Sequence, residues 1–196
     1  DLATASDTGT SSTDNRTSAT KPTITGMAEA GALVELFDGE VSVGTAVAGT
    51  TGAWSFTFAE ALLDGPHSLT AKQTDKAGNV SNFSNPLSIS IETSIAKPAA
   101  PDLQTASDTG GFSDDNITND TTPTFVGSGL GSGDKVQVFK DVDDDGIIDS
   151  VELLGTATVG STGSWSLTPA VMAAGEYSIK AIVTDAVGNV SVASDA

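Results

Sequence analysis

Six acidic residues fall within the twelve positions from Asp141 to Glu152. Read as Asp141-Val142-Asp143-Asp144-Asp145-Gly146-Ile147-Ile148-Asp149-Ser150-Val151-Glu152, they satisfy D-x-D-x-D-G-x5-E at each constrained position, the pattern of a calcium loop. Asp141, Asp143 and Asp145 stand two apart, so a curled loop can turn all three carboxylates toward one ion. Gly146 permits the sharp turn; Ile147 would offer its carbonyl, Asp149 a carboxylate directly or through water, and Glu152 two oxygens. Calcium accepts about seven hard oxygens in an irregular cage, whereas magnesium demands tighter octahedral geometry. The competing reading is an acidic hairpin tip, but acids packed this densely repel one another unless a cation joins them. The flanks, Val136–Phe139 and Leu153–Val159, read as strands rather than helices, so the loop is predicted to close a β-hairpin. Without helical flanks the pattern speaks more directly for the three aspartates than for Glu152.

A second set of acids is written twice. Asp7, Asp14, Asn15 and Asp75 return as Asp108, Asp115, Asn116 and Asp185. Asp-Thr-Gly followed by Ser-x-Asp-Asn makes an oxygen-rich head loop, and Asp75 and Asp185 each open an Asp-x-x-Gly-Asn turn late in their copy. Asp and Asn also form turns by bonding their own backbone, which accounts well for Asn79 and Asn189. For the aspartates the expectation is a shared calcium site where head loop and late turn meet, with Asp114 and Asp120 adding ligands in the second copy.

These loops need a scaffold, and the repeat supplies its outline. Leu2-Ala3-Thr4-Ala5-Ser6-Asp7-Thr8-Gly9 recurs 101 residues later as Leu103-Gln104-Thr105-Ala106-Ser107-Asp108-Thr109-Gly110. Gly52-Ala53-Trp54-Ser55 recurs as Gly163-Ser164-Trp165-Ser166, now offset by 111, so ten extra residues enter the second copy around the Asp141–Glu152 loop. A period near one hundred residues is a whole domain rather than a solenoid unit. Short apolar alternations separated by turn residues mark an all-β chain. Trp54, Phe56 and Phe58 alternate with Ser55 and Thr57; Leu33–Phe37 precedes the hairpin pair Asp38-Gly39; Leu87-Ser88-Ile89-Ser90-Ile91 alternates cleanly. About seven strands per hundred residues predict two tandem immunoglobulin-like β-sandwiches, residues 1–97 and 98–196, joined by a stiff Pro98/Pro101 connector. In the second copy Val136, Val138, Trp165 and Leu167 are assigned to the core, and Tyr177 to Val183 to the penultimate strand. Tyr177 and, at the same place in the first copy, His67 read as structural corner residues. The sequence ends before any counterpart of Leu87–Glu92, so the second sandwich is expected to be truncated before its last strand, with an open edge or gap. The chain begins and ends mid-repeat and is expected to be a segment of something longer.

Composition narrows the function. Twenty-six acids against eight bases give a net charge of −18, which repels nucleic acid and anionic membranes. No apolar run is long enough to span a bilayer, and the N-terminus is not a signal peptide. There is no cysteine, so metal is the obvious staple for a thin, Ala- and Val-rich core. One histidine, no Gly-x-Ser-x-Gly elbow and no phosphate-cradling loop leave little for an enzyme to use.

Taken together, Asp-Thr-Gly…Asp-Asn…Thr…Pro-Thr, then Gly-x-Trp-Ser, then Asp-x-x-Gly-Asn-x-Ser resembles the tandem bacterial immunoglobulin-like domains of large repetitive adhesins and biofilm-associated surface proteins. The resemblance covers both copies. It implies export by type I secretion, an extracellular place on the bacterial cell surface, and a role as a calcium-stabilised stalk that projects a distal ligand-binding region for cell adhesion. It implies calcium near module ends and, residue by residue, implicates Asp7, Asp14 and Asp75 and their counterparts Asp108, Asp115 and Asp185. The Asp141–Glu152 loop has no counterpart in the first copy, so the family pattern does not vouch for it. On this reading the segment is a monomer whose partners are neighbouring modules of its own chain, and host ligands are met only elsewhere in the protein. The alternative is a lectin-like or adhesive module that itself contacts a glycan or protein. Against it, both tryptophans are assigned to the core, which leaves no aromatic sugar platform.

Overall fold

A computed structural model describes residues 1–196. The chain divides between Thr93 and Ser94 into two compact modules.

In Asp1–Thr93 seven strands form: β1 (Arg16–Thr17), β2 (Thr23–Met27), β3 (Leu33–Asp38), β4 (Val41–Val47), β5 (Ala53–Thr57), β6 (Gly65–Thr74) and β7 (Leu87–Ile91). One sheet runs β1-β7-β6-β3-β4 and the other pairs β2 with β5, with Leu2 bridging Ile24. Alternation does what two-sided strands require. Leu36, Ile89 and Ile91 point inward to join Leu2, Ile24, Phe58 and Leu69 in one core.

Ser94–Ala196 holds six strands: β8 (Asp102–Leu103), β9 (Phe125–Gly127), β10 (Lys135–Lys140), β11 (Leu153–Thr158), β12 (Trp165–Leu167) and β13 (Ile179–Thr184). They lie in the orders β11-β10-β13 and β12-β9-β8, around Val136, Val138, Trp165, Ala181 and Val183. Both modules are all-β immunoglobulin-like sandwiches, as the spacing of apolar residues and turns predicts. No strand between Thr184 and Ala196 corresponds to β7, and β13 is shorter than β6. Where β6 begins at Gly65, the matching run Gly175–Ser178 is not strand, so the penultimate strand starts at Ile179 and not at Tyr177.

The repeated Gly-x-Trp-Ser motif has a structural reason. Trp54 pairs across from Gly26, and Trp165 from Gly127. In each case the indole lies over the glycine, so that a Cβ there would come within 2.5 Å of the ring. Gly127→Ala must therefore displace a buried tryptophan, and a loss of about 1–3 kcal/mol is expected from overpacking. Chemical denaturation of Gly127→Ala beside Gly26→Ala checks this; an unchanged midpoint in both would show that the indole is free to move.

The corner residues also repeat. Tyr177 Oη donates to the carbonyl of Ala173 at 2.9 Å, and His67 Nε2 meets the carbonyl of Leu63, also four residues back, at 2.9 Å. His67 Nδ1 meets Asp38 Oδ2 at 2.6 Å. Both ring nitrogens thus face acceptors, an arrangement only the imidazolium satisfies fully. Burial lowers the His67 pKa, but the bonds to Leu63 and Asp38 outweigh it and the net direction is upward. A raised folded pKa means this stabilisation is complete below the unfolded value of about 6.5 and is lost as pH rises through the folded pKa. The ring-proton NMR titration of this sole histidine, followed against the stability of Asp1–Thr93, is expected to show both effects. A midpoint below 6.5 would contradict them.

Candidate metal centre

In the first module β3 and β4 are joined by the two-residue turn Gly39-Glu40, because Asp38 pairs directly with Val41. In the second, the Asp141–Glu152 loop stands in that place between β10 and β11. Two left-handed residues curl it, Asp144 at φ 59° and Gly146 at φ 72°. Aspartate and glycine are among the residues that adopt this conformation most readily. The curl brings one carboxylate oxygen each of Asp141, Asp143 and Asp145 within 4.8 Å of one another.

Asp141 is the anchor. Its side chain is buried, and Oδ2 accepts from the Gly146 amide (3.0 Å) and from Lys180 Nζ (2.8 Å). Its Oδ1 is buried with no partner. Buried polar atoms without partners are rare and costly. A buried oxygen without a partner, on a carboxylate that belongs to a cluster of three, suits a hard cation. Lys180 also bridges to Asp144 Oδ1 at 2.6 Å, and it holds the Asp141 carboxyl below the usual aspartate range against the opposing effect of burial. Asp143 shifts the other way: partial desolvation raises it, and Asp145, Glu152 and Asp149 add repulsion. One lysine therefore leaves the loop with excess negative charge.

The remaining predicted ligands are placed differently. The Ile147 amide donates to Asp145 Oδ1 at 2.7 Å while its side chain is exposed. Glu152 is buried and staples the loop, with Oε1 accepting from Val142 N (2.8 Å) and Oε2 from Asp149 N (3.0 Å). Asp149 and Glu152 thus lie near the triad without belonging to it. The residues present fit a calcium ion held by Asp141, Asp143 and Asp145.

The head loops form a second, twofold-repeated arrangement. Asp7 Oδ2 accepts from Asn15 N at 3.4 Å and Asp108 Oδ2 from Asn116 N at 3.2 Å. In both copies the other oxygen, Oδ1, is buried and unpartnered. Asn15 and Asn116 adopt φ of 59° and 56°, with Asp14 and Asp115 accepting from the amides of Arg16 and Ile117. Burial raises the Asp7 pKa, and the nearby Asp14 carboxylate raises it further.

Asp75 does not join them. Arg16 and Thr17, just after the head loop, pair with Ser90 and Ile91, and Ile91 pairs with Gly65 at the start of β6. Asp75 follows the other end of that ten-residue strand, roughly 30 Å away at about 3.3 Å per residue. Its oxygens accept instead from the amides of Ala77 and Asn79 and from Asn79 Nδ2, and the Asn79 bond holds its carboxyl low. Asp185 does the same with Val187 and Asn189. Within each module the expected meeting of head loop and late turn therefore does not form; these aspartates close their own turns. Asp120 is likewise taken up by Ser107 and Thr122, and Asp114 is exposed.

Lys180 is the residue the loop pattern could not supply. It sits 39 positions from Asp141 in β13, where the first copy has Thr70. A base gained in step with an acidic insertion was the available signal.

The fold and the repeated motifs define a class, and the comparisons agree. The chain belongs to the bacterial Ig-like domain family, which matches residues 1–93 and again 94–196. Among solved structures it is similar to a tetra-tandem repeat from the extending region of a large adhesion protein (22% identity, TM-score 0.39, covering 93% of this chain and 45% of that one). It is also similar to a bacterial ice-binding adhesin (20%, TM-score 0.41, covering 96% and 61%). The ligand-binding domain of human OSCAR aligns as well (14%, TM-score 0.46, covering 92% and 91%). The chain thus spans less than two-thirds of the two adhesin structures. A comparison with curated proteins gave no match.

Proposed function

We propose that this chain is a calcium-stabilised structural spacer of a large bacterial surface adhesin, a non-enzymatic stalk segment that holds a binding region elsewhere in the protein away from the cell. Membership of the bacterial Ig-like family supports the structural role. The observation that carries the calcium reading is the convergence of Asp141, Asp143 and Asp145 with a buried, unpartnered Asp141 Oδ1. When bound, calcium would offset the loop's charge and tie its curl to the β10–β11 hairpin. The head-loop oxygens of Asp7 and Asp108, with Asp14 and Asp115 beside them, are proposed as further ligands. An ion that binds only the folded state stabilises it by RT ln(1 + [Ca]/Kd). Folding could therefore be deferred until type I export delivers the chain from a calcium-poor cytosol to the cell exterior.

Thermal melts and single-molecule stretching of residues 1–196 in EDTA and in millimolar calcium test the reading together. Calcium is expected to raise both the melting temperature and the unfolding force. If neither moves, the acid clusters are solvated turns and the spacer carries no metal.

A further inference from the structure

Both carboxylate oxygens of Glu152 are taken by backbone amides of its own loop. Oε1 accepts from Val142 N at 2.8 Å, where the loop opens, and Oε2 from Asp149 N at 3.0 Å, near its close. The Glu152 backbone is fixed as well: its carbonyl accepts from Lys140 N at 3.0 Å, and the next residue, Leu153, pairs with Phe139. Buried polar atoms find partners as a rule. Glu152 is 3% exposed and has them, whereas Asp141, 4% exposed, keeps an Oδ1 with none. Of these two buried carboxylates, only the aspartate lacks a ligand. Two further contacts hold the curl and leave that oxygen free. Lys180 ties Asp144 Oδ1 at 2.6 Å to Asp141 Oδ2 at 2.8 Å. At Gly146 a Cβ would stand 3.6 Å from that of Ala193, so the turn rests close to the segment that follows β13.

Given the calcium site proposed above, we infer that Glu152 is a positioning residue and not a ligand. It builds the loop before any ion arrives, and water keeps the coordination positions that a glutamate in twelfth place takes in an EF-hand. To ligate bidentately, this carboxylate must give up two charge-assisted bonds and leave two amides without their acceptors. Asp141, Asp143 and Asp145 bring together one oxygen each, at most half of the roughly six to eight that calcium takes. The rest of the sphere is then wet, on a frame that Glu152 holds in place as outer-sphere partners hold a metal's ligands.

Residues 1–196 carrying Asp7→Asn and Asp108→Asn, which keep the head loops from taking up the probe, would be loaded with terbium, a luminescent substitute for calcium. Luminescence lifetimes in light and heavy water count the coordinated waters. Glu152→Gln is expected to leave that count unchanged while lowering calcium affinity about tenfold or more. Asp143→Ala is expected to raise the count by about one. In EDTA the Val142 and Asp149 amides should already be protected from exchange. Glutamine retains one acceptor in place of two, so Glu152→Gln should speed exchange of at least one of these amides about tenfold or more, the scale of one hydrogen bond to a charged group. A gain of about two waters in Glu152→Gln would make the glutamate a bidentate ligand and overturn the inference. So would an unchanged calcium affinity, which would leave Glu152 no part in metal binding, or amides protected only once calcium is added. Each of these three results leaves the calcium site itself standing. An unchanged count in Asp143→Ala would instead remove the site, and the inference with it.

Discussion

Asp141→Asn is expected to remove most of the calcium-dependent stabilisation that the loop gives residues 94–196, while changing stability in EDTA little. Asp141 is the one triad member that is buried, and its Oδ1 is the oxygen without a protein partner. Asparagine retains the shape and an acceptor for Gly146 but halves the ligand capacity and removes the charge. In EDTA two changes oppose each other: repulsion from Asp143 and Asp145 falls, and the ion pair with Lys180 is lost. In calcium nothing compensates. With the ion at about a hundred times its Kd the stabilisation at stake is about 2.7 kcal/mol, and at a thousand times about 4.1 kcal/mol. Calorimetry of parent and variant in EDTA and in millimolar calcium measures it as a difference of differences. An undiminished calcium shift in the variant would mean that the ion sits elsewhere. Lys180→Met gives the reverse signature. The module should weaken in EDTA, because a buried carboxylate loses its counter-charge, and calcium should bind more tightly, because a competing cation has gone.

The second large effect lies at the end of β10, next to the loop. Phe139→Ala is expected to cost residues 94–196 about 3–5 kcal/mol, the range for deleting a buried aromatic side chain. Simple alternation places Phe139 on the face opposite Val136 and Val138, where it would be wetted. Instead it is 0% exposed. The register of β10 against β11 shifts between Val138 and Phe139, so that Phe139 pairs with Leu153 at the root of the acidic loop. The same shift occurs between Leu36 and Phe37 in the first copy, but Phe37 is only half-buried and meets Phe83 edge-on at 5.2 Å. Phe37→Ala should therefore cost distinctly less than Phe139→Ala, and urea denaturation of both variants provides the comparison. Equal losses would show that the difference in burial between the two rings does not set the cost.

Much of this architecture is legible in the sequence because its causes are local. Alternation at Leu33–Phe37 and Trp54–Phe58 is a property of neighbouring residues, and the duplicated motifs report two domains without any contact being known. The loop spacing is equally local: curling Asp141 to Asp145 around Gly146 needs only a few backbone angles, and the structure brings those three carboxylates together.

What the sequence could not decide is which distant groups meet. Asp7 and Asp75 look alike as repeated acids, yet the register of β6 and β7 puts them at opposite ends of one strand, and only the folded sheet reveals that. Lys180 reaches Asp141 because β13 pairs with β10, with Lys180 beside Phe139. The pairing of Phe139 with Leu153 across the register shift arises in the same way. Local pattern determined the strands, the two modules and the acidic curl. Strand pairing, which joins residues tens of positions apart, decided which carboxylates are buried and which meet a counter-charge.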